Sequence, residues 1–253
     1  MEKKILYLLT CVGLCWSSCT NEVDEFIGNV EPSTRSVSTA LNANLASLFT
    51  GGAPTLTSAE IKEVNDAYAK MTSINCYRNI DEAVRNKTSY AGTIFLDDTY
   101  ASAYFRKGSL AFPPYGILAS SMEHEFIHMY QRDVQGKKVD TDKEKRDTGM
   151  MEFELAFYQG IIRYIHAGYS WTFKGEDGDP SYQSLWTSGL TDPSLIPQYE
   201  REFQTYVASI CANGKPTSID INEFVKWSNI FGEYSRGYSG KGYKFGNYDY
   251  GTS

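Results

Sequence analysis

The segment His124-Glu125-Phe126-Ile127-His128 constrains this chain more than any other stretch of its 253 residues. On an α-helix, residues four apart are rotated by only about 40° and separated by about one turn, so both imidazoles stand over the same spot. Two nitrogen donors in that arrangement suit a tetrahedral Zn2+ ion. Glu125 falls about 100° around from His124, beside the ion rather than on it, where a carboxylate can take a proton from a metal-bound water. The pattern therefore asks for a helix, read here over residues 115–133, and for one more protein ligand.

The chain has three histidines, and the third, His166, falls on a different predicted helix, where a structural role suits it. A carboxylate must then complete the set. Glu152 and Glu154, in Glu152-Phe153-Glu154-Leu155-Ala156, open the next predicted helix, over 149–167. A polar loop over 134–147 lets that helix turn back toward the histidines. Helical positions two apart point about 200° from each other, so only one of the two glutamates can bind. Spacing alone leaves both open.

In these residues the chain resembles zincins whose third ligand is glutamate. The likeness is to Bacteroidetes proteins in which the histidine motif runs into a Tyr-Gln pair and is followed by a Glu-Phe-Glu segment. Here those residues are Tyr130-Gln131 and Glu152-Phe153-Glu154, with Gln159 a heptad beyond Glu152, and the likeness covers about 93–167. The resemblance implies that the first glutamate, Glu152, joins His124 and His128 on zinc, with Ala156 as the small residue that follows. It also implies that Glu125 activates water against a zinc-polarised carbonyl of a protein or peptide. No Asp stands where several of those proteins have one, so the partner behind the histidines is unassigned. The fold implied is α+β and zincin-like, mostly helical with a small β-sheet beside the motif helix.

The rest of the chain reads consistently with that class. Thr57 and Glu60 form a capping box ahead of Ile61, Val64, Tyr68 and Met71 at helical spacing, and a short helix is expected over 80–86. Two or three short strands are expected over 93–96 and 102–112. Two further helices are expected over 193–211 and 218–234, after an irregular crossing segment at 169–191. The folded domain is read as 57–235, preceded by a tether over 19–56 whose later part docks on it. A tail at 236–253 alternates Gly with aromatic residues.

Residues 1–18 have the basic start and short apolar core of an export signal, too short to span a bilayer. Ser17-Ser18-Cys19 resembles the end of a bacterial lipoprotein signal, although Trp16 stands where Leu is usual. The acidic run from Thr20 to Glu25 resembles the surface-export tag of Bacteroidetes lipoproteins. These likenesses imply an outer membrane lipoprotein, held by lipid on Cys19 and facing the cell surface. Removing residues 1–18 takes away a net +1 and moves the charge from −7 to −8. Such acidity excludes nucleic acid as a partner, because phosphate binding needs clustered Lys and Arg. Past Cys19 only Cys76 and Cys211 remain, as a disulfide or as buried thiols. A rival reading is a non-catalytic surface lipoprotein that keeps a structural zinc and binds a glycan or a protein partner. The anchor is tested by fractionation: the intact chain should partition with membranes and Cys19→Ala should not, and equal partitioning of the two would remove the lipid.

Overall fold

A computed structural model describes residues 40–100, 102–137, 145–167, 194, 196–210 and 220–234. The export signal, most of the tether, the crossing segment at 169–191 and the C-terminal tail lie outside the described residues. The chain divides after Gly136 into two compact units.

The unit ending at Gly136 begins with a short helix, α1 (Ala43–Leu48), whose first turn is capped by the Asn42 side chain accepting from the Asn44 N–H. Leu45, Leu48 and the following Phe49 are buried. The later part of the expected tether thus docks on the domain, and it does so as a short helix ahead of Thr57 whose Leu45 and Leu48, with Phe49, join the core. α2 (Ser58–Thr72) opens on the predicted capping box, Thr57 and Glu60 satisfying each other's backbone N–H, and buries Ile61, Val64, Tyr68 and Met71. α3 (Asn75–Lys87) is a full turn longer at its start than the expected 80–86. Cys76, Ile80 and Val84 share its buried face at four-residue spacing, a stripe that the charged residues between them hide in the sequence. Cys76 is disulfide-bonded, which settles its state against the free-thiol alternative.

The contact between α2 and α3 includes a buried carboxylate. Asp81 accepts the Tyr68 hydroxyl at 2.8 Å and the Arg85 Nε–H at 2.9 Å. Burial pushes the Asp81 carboxyl up, and the two donors oppose that shift.

The expected strands form a three-stranded sheet, β1 (Ile94–Leu96), β2 (Tyr104–Arg106) and β3 (Ser109–Phe112), in the order β1-β3-β2. β1 runs parallel to β3, with Ile94 beside Leu110, and β2 runs antiparallel to it. Lys107 and Gly108 join β2 to β3 with φ of 50° and 78°, the two positive values that match a two-residue hairpin to strand twist. Gly92 lies against the Gly108 carbonyl, where any Cβ would collide with backbone.

The helix carrying the histidine motif, α4 (Ala119–Met129), follows β3 and runs into a π-helical turn, Tyr130–Val134. It is shorter than the expected 115–133, since Tyr115 and Leu118 are exposed and offer no buried stripe at that end.

The second unit holds α5 (Lys145–Ala167), α6 (Ile196–Ile210) and α7 (Ile221–Tyr234). α5 packs on both of the others through rings: Phe153 and Phe157 lie 5.1 and 5.2 Å from Phe224, and Phe157 stacks on Tyr206 at 5.7 Å. Phe203 meets Trp227 at 5.1 Å between α6 and α7. Asp220 caps α7 by accepting the backbone N–H of Asn222 and Glu223. The chain is α+β, mostly helical with one small sheet.

Removing Arg85 from the buried Asp81 tests how the first helices hold together. Arg85→Met should destabilise the chain by about 2 kcal/mol, the worth of a hydrogen bond to a charged group. The expected signature is a lower urea midpoint with an unchanged slope.

Candidate metal centre

α4 is seated by one stripe. Met122, Phe126 and Met129, at positions i, i+4 and i+7, are fully buried, and the Phe126 ring lies 6.1 Å from Tyr68 of α2. Burying a phenylalanine of this kind contributes about 1.5–3 kcal/mol. His124 and His128 fall beside that stripe and are half-buried, close to solvent but not surrounded by it.

The two rings meet edge to face with centroids 4.7 Å apart, and their Nε2 atoms are 3.1 Å apart. Zn–N bonds of about 2.0–2.1 Å at a tetrahedral angle would separate two nitrogens by about 3.3 Å. The pair therefore already has close to the spacing that one ion demands. A carboxylate oxygen of Glu152 joins them: one ligand atom from each of His124, His128 and Glu152 lies within 4.8 Å of the others. This triad can hold a metal ion. Two imidazoles and one carboxylate are also the donor set of open zinc sites, in which a water takes the fourth position.

Of the two glutamates that spacing left open, Glu152 is the one that could share an ion with the histidines. Glu154 is buried and forms an ion pair with Lys137. The 200° between the two positions on α5 sends their carboxylates to different partners.

Glu125 is 5% exposed, and its Oε1 lies 3.9 Å from His124 Nε2. That is too far for a direct hydrogen bond and near enough for one water to sit between them. The side chain thus stands next to the donor cluster without belonging to it, as its position on the helix predicts.

Gln131 stands behind His128, where spacing assigns no partner. It is fully buried, and its Oε1 accepts the Nδ1–H of His128 at 3.0 Å. A glutamine three residues after a histidine on one helix was the available signal, because such positions are neighbours on the helix surface. The adjoining Tyr130 is buried, in keeping with a packing role. His166 lies within α5, but its side chain is outside the described residues.

The turn after the motif is tied to the sheet. The Arg132 guanidinium stands 4.4 Å from the Phe105 ring centroid and 5.4 Å from that of Tyr90. Asp133 accepts from Arg132 and from the Tyr90 hydroxyl. Burial and the Asp133 charge both push the Tyr90 hydroxyl up, so it remains a donor across the ordinary pH range.

Comparison with protein families, curated proteins and solved structures finds no match for this chain.

The ligand set is open to direct test. Purified wild type should bind about one zinc per chain, and Glu152→Ala should weaken that binding by more than about 100-fold, beyond what loss of a partner behind a ligand costs. Glu154→Ala should keep the metal. Metal analysis after equilibration with a chelator reads both, and the reverse pattern would move the ligand to Glu154.

Proposed function

We propose that this protein is a zinc-dependent peptidase of the zincin type, acting on a protein or peptide outside the cytoplasm. The observation that carries the reading is a buried carboxylate, Glu125, beside a His124–His128–Glu152 cluster that can hold a metal ion. A site that only braced a fold would have no use for a base at that point.

Bound there, zinc would polarise a peptide carbonyl and acidify a water. The residues of the chain supply the remainder. His124 and His128 offer neutral imidazole nitrogens, and Glu152 brings the charge that partly offsets the dication. Glu125 is held out of bulk water beside His124. It accepts the proton of the attacking water and can pass it to the leaving amine as the C–N bond breaks. A peptide in extended form would add to an edge of the sheet by main-chain hydrogen bonds, β1 and β2 being the outer strands of the three.

The setting outside the cytoplasm is supported by the disulfide at Cys76, a bond that persists where thiols are not kept reduced. Among the described residues no helix is long and apolar enough to cross a membrane.

Base and ligand are separable. Glu125→Gln should leave zinc content and thermal stability close to wild type while lowering hydrolysis of a peptide mixture by about 10²–10⁴-fold, the worth of a positioned base. Wild-type protein that holds zinc yet cleaves nothing in a diverse peptide pool would favour the structural-zinc alternative.

A further inference from the structure

We propose that Gln131 is a positioning residue that selects which nitrogen of His128 faces the metal. The inference rests on the metal-binding reading above.

Three observations carry it. The Gln131 side chain is fully buried, so its amide must find partners inside the protein. Its oxygen, which can only accept, sits 3.0 Å from His128 Nδ1. Nδ1 must then carry the hydrogen, and a neutral His128 is left with its lone pair on Nε2. Nε2 is the atom that lies 3.1 Å from His124 Nε2 and belongs to the cluster with Glu152. The amide therefore prepares the one tautomer that can bind an ion at that place.

The local backbone supports the same role. The turn Tyr130–Val134 is π-helical, with the Gln135 N–H donating to the Tyr130 carbonyl five residues back at 3.1 Å. Single π-turns inside helices occur often at functional sites. Asp133 is the nearest acid on this turn, and it is held by Arg132 and Tyr90. The partner behind His128 is thereby an uncharged amide. A carboxylate there would add negative charge through the imidazole and raise its basicity. The amide would orient the ring without offsetting the ion's charge beyond what Glu152 does.

The test pairs affinity with the tautomer itself. Gln131→Met keeps the bulk and removes the acceptor, while Gln131→Glu keeps an acceptor. Zinc affinity, measured by competition with a chromophoric chelator, should fall by about 10–100-fold in Gln131→Met, the usual cost of losing such a partner. Gln131→Glu should bind at least as tightly as wild type. Nitrogen-15 NMR of the metal-free wild type should show His128 protonated at Nδ1, and Gln131→Met should lose that preference. This second readout needs neither metal nor activity, and melting curves identify any variant that fails to fold. A wild type whose metal-free His128 is protonated at Nε2, or a folded Gln131→Met with unchanged zinc affinity, would overturn the proposal. A wild type that takes no zinc but keeps the Nδ1–H form would sink the peptidase reading and leave the tautomer assignment standing.

Discussion

Two imidazole nitrogens 3.1 Å apart cannot both present bare lone pairs to each other; a proton or a cation has to stand between them. Gln131 takes the Nδ1–H of His128, so the lone pair on His128 Nε2 is committed to that gap. Either His124 donates its own Nε2–H across it, or both nitrogens turn to a metal. The arrangement thus passes between a hydrogen-bonded pair and a ligand pair with little movement. Such a pair has its ring nitrogens satisfied with or without an ion.

What holds the pair in place is apolar. Met122, Phe126 and Met129 bury one stripe of α4, and the histidines follow from where that stripe leaves off. Tyr68 touches both parts of the support, its ring facing Phe126 and its hydroxyl bonded to Asp81 on α3. The far end of the helix is fixed differently: a π-turn carries Arg132 and Asp133 onto Tyr90 and Phe105. Cation–π contacts in partly desolvated surroundings contribute about 1–2 kcal/mol, comparable to one buried hydrophobic side chain.

Carboxylates near the motif show how identical chemistry is divided by surroundings. Glu152 is half-buried and lies with the histidines. Glu154, two residues on, is compensated by Lys137. Glu125 is nearly sealed from solvent beside His124 without bonding to it. A candidate ligand, an ion-pair member and a candidate base thus stand at three different positions on two helices.

Much of this was legible in the chain itself. The Thr57–Glu60 capping box, the strands, and the placing of Glu125 beside rather than with the histidines all follow from local geometry, which depends on residues a few positions apart. The helix that buries Leu45 and Leu48 and the hidden stripe of α3 were not legible, because an apolar residue in polar company becomes a core residue only when another element arrives to cover it. Helical spacing alone did not choose between Glu152 and Glu154; the choice of Glu152 rested on the resemblance. Helical rotation says only that the two diverge, and the pairing of Glu154 with Lys137 appears only in the folded chain. Gln131 lay between these cases. Its spacing from His128 was visible, yet its role as acceptor required a buried amide with its oxygen facing Nδ1, and burial is a property that only the folded chain confers.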